Sequence, residues 1–179
     1  FFLRYNINLK LYLLFIMADL SKLINHDDYT TPNSAWDNIK HLIPQDKVIW
    51  EAFYADGTSG NYLKELGFNV IHEPIDFYDN NLGDIIISNP PFGDTKNIMP
   101  RLKEIDKPFI MIMPVSKLCC KYMRDTFSDG EIQILIPKSR IHFVKLIDGK
   151  PVEGFNSNSP FDCFYYCYKM NFENNMIWL

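Results

Sequence analysis

Asp84-Ile85-Ile86-Ile87-Ser88-Asn89-Pro90-Pro91-Phe92 is the stretch on which the fold turns. Three isoleucines in a row leave no polar face, the pattern of a short strand buried on both sides in a parallel sheet. The run ends directly at Asn-Pro-Pro. Two consecutive prolines fix the backbone and remove two N–H donors. What remains at the carboxyl end of the strand is a set of carbonyl acceptors and the Asn89 amide oxygen. Open α/β sheets place their ligands at that end. As structure alone, the motif is a rigid strand-to-loop turn. As chemistry, Asn89, Pro90 and Pro91 offer acceptors that take both protons of an amino group and draw its lone pair out of conjugation, and Phe92 offers a stacking face.

Working upstream, Lys47–Tyr54 (KVIWEAFY) reads as a strand, Asp56-Gly57-Thr58-Ser59-Gly60 as a tight loop and Asn61–Leu66 as a helix closed by Gly67. Phe68–His72 (FNVIH) is a second strand. The unit spans about 30 residues, the size of a parallel crossover. A glycine-bearing loop ahead of a helix lets the backbone approach a cofactor closely, although two glycines alone are equally an ordinary turn. Glu73 ends the second strand, where an acidic residue can hold both ribose hydroxyls of a nucleoside cofactor. The bland reading is an exposed loop carboxylate. Asp76-Phe77 pairs a carboxylate with an aromatic, suited to an adenine amino group and face, while Phe77 also suits a core.

Downstream, Ile98–Ile105 reads as a helix and Phe109–Val115 as a buried strand, followed by a helix through Phe127. Glu131–Ile136, Arg140–Val144 and Asp162–Tyr168 read as strands. Toward the N-terminus, Asp19–Asn25 reads as a short helix and Asp28–Pro32 as a turn or extended segment. Ser34 is expected to cap a helix through His41, with Trp36, Ile39 and Leu42 on one face. This α/β alternation predicts a Rossmann-like fold, with a mostly parallel seven-stranded sheet and helices on both faces. Residues 17–179 are expected to form one domain.

Composition narrows the class. Of 179 residues, 47% are hydrophobic and 22% charged, which excludes a disordered chain. The net charge of -4 is unevenly spread. Residues 93–150 hold 11 Lys/Arg against 7 Asp/Glu, whereas residues 1–92 hold 6 against 12. The middle segment therefore offers a polyanion its best field. A dedicated DNA binder carries a stronger basic excess, and a solvated mixed surface fits the same numbers. Cys119, Cys120, Cys163 and Cys167 show no zinc spacing, so no metal is expected. They read as reduced thiols of an intracellular protein. His26, His41, His72 and His142 are scattered and pair with no nucleophile in sequence. Residues 1–16 are apolar but interrupted by Arg4 and Lys10, too short for a bilayer span and lacking a signal cleavage site. With Met17 following, they are expected to be upstream translation or a disordered extension, with a membrane anchor as the alternative.

Asn89-Pro90-Pro91-Phe92 resembles motif IV of the S-adenosylmethionine-dependent amino-methyltransferases, in the form common among adenine-N6 enzymes. Trp50-Glu51-Ala52-Phe53-Tyr54-Ala55-Asp56-Gly57 resembles their motif I, commonly W-E-P-x-x-G-D-G. Asp28-Tyr29-Thr30-Thr31-Pro32, with Trp36, resembles motif X, which closes over the methionine end of the cofactor. The segment from Arg140 to Asp162 is similar to the tail of small phage and large-virus adenine methyltransferases. The resemblance implies a class I methyltransferase using S-adenosyl-L-methionine, without metal, on adenine N6 in DNA. It makes Asn89, Pro90, Pro91 and Phe92 the catalytic motif. It assigns the cofactor to Tyr29, Thr30, Glu51, Tyr54, Asp56, Gly57, Glu73, Asp76 and Phe77. Ala55 stands where the family has Gly, and Ala52 where Pro is common. No separate target-recognition domain is visible. Three other readings stay open: adenine in RNA, a protein glutamine amide, and an inactive binding or scaffold module.

Overall fold

The apolar run at the centre of the chain becomes a strand because it has an apolar layer to bury into on each side. The computed structural model describes residues 29–147, 150–151 and 161–179. In chain order these form β1 (Tyr29–Thr30), α1 (Asn33–Ile39), β2 (Val48–Trp50), α2 (Thr58–Glu65), β3 (Asn69–Ile71) and β4 (Ile85–Ser88). There follow α3 (Thr95–Ile105), β5 (Phe109–Pro114), α4 (Lys121–Thr126), β6 (Ile132–Ile136), β7 (Val144–Ile147), β8 (Lys150–Pro151), β9 (Cys163–Tyr168) and β10 (Met176–Trp178). Short 3-10 turns follow α1 and β5.

Seven strands make one sheet in the order β10-β6-β9-β5-β4-β2-β3. Neighbours are parallel except at β9, which is antiparallel to both β5 and β6. Six strands therefore share one direction. This is the mostly parallel, seven-stranded α/β sheet expected from the sequence.

Alternation along the strands builds two cores. Ile49, Ile85, Ile87, Ile110 and Ile112 point to the face covered by Trp36 and Ile39 of α1 and Leu63 of α2. Trp50, Ile86, Phe109, Met111 and Met113 point to the opposite face, covered by Ile98, Met99 and Leu102 of α3 and Met123 of α4. Each fully buried side chain of this size contributes about 1.5–3 kcal/mol. Helices thus lie on both faces, with α2 and α3 on opposite sides. The chain turns from one face to the other between β2 and β4, which are neighbours. A crevice opens at such a switch point, at the carboxyl ends of the strands.

Local differences from the expected elements have physical reasons. The strand expected over Lys47–Tyr54 ends at Trp50, and Glu51 onward leaves the ladder. Pro32, with its fixed φ of -68°, occupies the N-cap of α1, so Ser34 lies inside the first turn and does not cap. Helix α2 begins at Thr58, earlier than expected, and Gly67 follows it at φ 92°. The helix expected after β5 divides into a 3-10 turn and α4. Arg140–Phe143 is not strand; β7 starts at Val144, where it pairs antiparallel with β1, Thr30 against Val144. With β8 these form a small second sheet. Strand β10, a short apolar run that the sequence reading did not assign, extends the main sheet beside β6. The expectations for residues 1–16 and Asp19–Asn25 fall outside the described residues, as do Asp28, Ser159 and Pro160. Among the described residues, no helix is long and apolar enough to cross a membrane.

One buried hydrogen bond ties the reversed strand to the first helix. The Tyr165 hydroxyl of β9 donates to the Ala35 carbonyl at 2.6 Å, with both residues fully buried. Tyr165→Phe removes the donor with little loss of volume. The expected cost is about 1 kcal/mol in a urea unfolding curve with unchanged slope.

Candidate active site

The crevice between β2 and β4 is a cavity of about 300 Å³, at the lower end of the range for small-molecule and cofactor pockets. Three segments wall it. Glu51, Phe53, Tyr54, Ala55, Asp56 and Ser59 come from the loop after β2 and the start of α2. Asn89, Pro90, Pro91 and Phe92 come from the loop after β4. Tyr29, Thr30 and Thr31 come from β1. The three motifs that are furthest apart in the chain therefore share one wall.

Of the residues expected at a site, Tyr29, Thr30, Glu51, Tyr54, Asp56, Asn89, Pro90, Pro91 and Phe92 line this cavity. Gly57 sits just behind it at φ 84°. Glu73 and Asp76 are exposed on the loop after β3 and do not line it. Phe77 is buried against Trp50 and Phe53, with ring centroids 5.7 and 4.9 Å away. Phe92 is only 3% exposed, and its ring packs edge-on against Phe161 and Phe143 at 5.2 and 6.3 Å.

Polar contacts fix the walls. The Asp56 carboxylate accepts from the Thr58 hydroxyl at 2.7 Å and from the Thr58 amide at 3.1 Å. Partial burial works against its charge, but the Thr58 donors outweigh that and hold its pKa below the ordinary value. The Thr58 hydroxyl also meets that of Thr30 at 2.8 Å, fastening β1 to the loop. Tyr29 meets Phe161 edge-on at 5.6 Å, closing the same end with aromatic surface. The Tyr78 hydroxyl bonds the Asp94 carboxylate, joining the loop after β3 to the loop after β4.

Glu51 is 1% exposed. Its Oε1 accepts from the Ser88 hydroxyl, which in turn accepts from the Phe53 amide at 3.3 Å. Its Oε2 stands 2.7 Å from Nδ1 of buried His72, an ion-pair distance without the alignment of a full hydrogen bond. Burial raises the Glu51 pKa against the opposing pull of His72 and Ser88. Burial alone would lower that of His72, but the Glu51 carboxylate outweighs it and the net is upward. Both directions describe a pair that keeps hold of a shared proton. Sequence reasoning gave His72 no role. The signal lay in strand register: Trp50 pairs with Ile71, so Glu51 and His72 are the next residues on neighbouring strands.

The Asn89 side-chain oxygen is buried without a hydrogen-bond partner at the cavity wall. Pro90 and Pro91 beside it have no N–H to offer it. Thr31, Phe53, Ala55 and Ser59 also line the cavity and were not singled out as site residues. Among the described residues, no cluster of His, Cys, Asp or Glu could hold a metal ion.

Ala55 has φ 45°, in the left-handed region that an alanine enters at a cost of about 1–2 kcal/mol. Ala55→Gly removes that strain but loosens the unfolded chain by about 0.4–1 kcal/mol. The expected outcome is a gain of about 0.5–1 kcal/mol in chemical denaturation. Unchanged or lower stability would show that the turn is unstrained.

No protein-family model matches the chain, and no curated protein is detectably similar to it in sequence. Among solved structures, it is similar to the precorrin-6y C5,15-methyltransferase of Geobacter metallireducens GS-15. The identity is 11%, over 82% of this chain and 97% of that one, with a TM-score of 0.41. So remote a likeness bears no weight for the chemistry, which rests on the geometry of the cavity.

Proposed function

We propose that the chain is an S-adenosyl-L-methionine-dependent methyltransferase acting on an exocyclic amino group, with N6 of adenine in DNA as its substrate. The observation that carries this reading is the buried, unpartnered Asn89 oxygen, beside two prolines, at a cavity on the sheet's switch point. An acceptor left unsatisfied in a fold costs about 1–3 kcal/mol, so a donor group is expected to occupy it in the working state.

The donor set fits the cofactor. Asp56 puts a carboxylate on the wall, suited to the positive charge of its methionine end, and the Glu51 carboxyl, held by His72 and Ser88, stands on the same wall. Tyr29 and Thr30 close over them. Glu73, Asp76 and Phe77 take their ribose and adenine roles from the sequence resemblance. When bound, S-adenosyl-L-methionine supplies an electrophilic methyl group on a sulfonium, and the carbon–sulfur bond breaks with its electrons left on sulfur.

The protein's part is positioning and acceptors. Asn89 Oδ1 and the Pro90 carbonyl take the two amino protons, so the nitrogen lone pair is directed at the methyl carbon. As that nitrogen becomes positive, the same acceptors stabilise it, and its extra proton leaves to water. No covalent enzyme intermediate is needed. A base in duplex DNA must first be flipped out, and the basic excess of residues 93–150 supplies the field for phosphates.

The test is transfer of labelled methyl to DNA, RNA and protein in parallel, with calorimetric titration of S-adenosyl-L-methionine. Asn89→Ala is expected to lower methyl transfer on the order of 10²-fold or more while leaving cofactor affinity within about threefold. Label on RNA or protein alone would reassign the substrate. No heat with the cofactor would refute the enzyme reading in favour of a binding module.

A further inference from the structure

We propose that His72 is the positioning residue of this cavity: one ring nitrogen holds the Glu51 carboxyl and the other holds the cofactor loop, so the two keep one spacing. The proposal deepens the reading of the cavity as a methyl-donor site, and its link to binding rests on that reading.

Five observations converge on the ring. The His72 side chain is 2% exposed, so it serves the interior and not the solvent. Nε2 stands 3.1 Å from the Gly57 carbonyl oxygen, which only accepts, so Nε2 carries a hydrogen. Nδ1 faces Glu51 Oε2 at 2.7 Å. The Tyr54 ring stacks on the imidazole at 4.5 Å and 16°, and Tyr54 itself lines the cavity. Gly60 fits the ring just as closely: a Cβ there would meet His72 Cγ at 2.0 Å, so no side chain fits.

Proton accounting follows from these contacts. With Nε2–H committed to Gly57, the atoms between Nδ1 and Oε2 share one further proton. In the proposed state the imidazolium Nδ1–H faces the Glu51 carboxylate, and the net charge of the pair is zero. Losing that proton would leave a bare anion in a buried site, which is costly. The titratable groups facing the ring are Glu51, from the end of β2, and the stacked Tyr54 phenol. The Asp56 carboxylate is committed to Thr58. Ser88 adds a neutral donor to Glu51 from β4.

The first test uses the full chain without ligand. In protein carrying ¹⁵N-histidine, NMR is expected to show both His72 nitrogens protonated near pH 7, and Glu51→Gln should lower the midpoint of its titration. A His72 that is neutral at pH 7, or a midpoint unmoved by Glu51→Gln, would overturn the proposal.

The second test is calorimetry with S-adenosyl-L-methionine. In His72→Asn the amide nitrogen stands near the place of Nδ1, and in His72→Gln near that of Nε2. Each variant breaks one of the two contacts, Asn that to Gly57 and Gln that to Glu51, so each should lose about tenfold or more in affinity. Affinity kept within about threefold in either variant would mean that the contact it breaks does not set the spacing and would also overturn the proposal. If wild type binds no S-adenosyl-L-methionine, the methyl-donor reading fails, while the NMR titration still decides whether His72 holds Glu51.

Discussion

A carboxylate taken out of water must find donors, and Glu51 finds them on the two strands that flank its own. Glu51 follows β2, His72 follows β3 and Ser88 ends β4. The Ser88 hydroxyl and the His72 ring meet opposite oxygens of one carboxyl group. Removing His72 would leave a buried charge, at several kcal/mol, and removing the Ser88 hydroxyl would cost a buried hydrogen bond, so the three strand ends are held at one spacing. Hydrophobic burial makes the sheet, but it is indifferent to where the loops leave it. This polar knot sets that. From it the loop after β2 and the loop after β4 diverge to opposite faces, and the cavity is the space between them.

The second constraint is aromatic. Phe92, Phe143 and Phe161 pack edge to edge beneath the cavity, and Tyr29 closes on Phe161. They come from four separate segments. The cluster lets the small β1-β7-β8 sheet sit against the loop after β4, with the Thr30–Thr58 hydroxyl contact as its polar latch. Phe92 thus anchors the turn on which Asn89 rides. A ring 3% exposed has little surface left for a ligand, so its firmest role is to hold Asn-Pro-Pro in place.

Much of this was legible in the chain. The Ile85–Ile87 run, the crossover from β2 to β3 and the Asn-Pro-Pro stop each carry a local signal: a continuous apolar run, a repeat length, a blocked backbone. They imply a parallel sheet and the edge of a site before any contact is known. What stayed hidden depends on partners far away in sequence. Strand β7 pairs with β1 across more than a hundred residues. Glu51 reads as a residue inside the Lys47–Tyr54 strand until its carboxylate is seen to meet Ser88 and His72. His72 reads as one of four scattered histidines until register sets it beside Glu51.

The same reasoning separates Asn89 from Glu51. Both place a side-chain oxygen inside the protein, but the Glu51 carboxyl has the Ser88 hydroxyl on Oε1 and the His72 ring 2.7 Å from Oε2, whereas the Asn89 oxygen has no hydrogen-bond partner. Were Asn89 there only to make a turn, its side chain would be expected to cap a nearby N–H, as Asn does in most turns. Pro90 and Pro91 remove the two nearest candidates. A fold that spends two prolines to keep one acceptor free has selected against the local solution. The free energy withheld there is recovered only when a donor arrives from outside. On the proposed reading, that donor is a flat amino group entering between Asn89 and the Pro90 carbonyl.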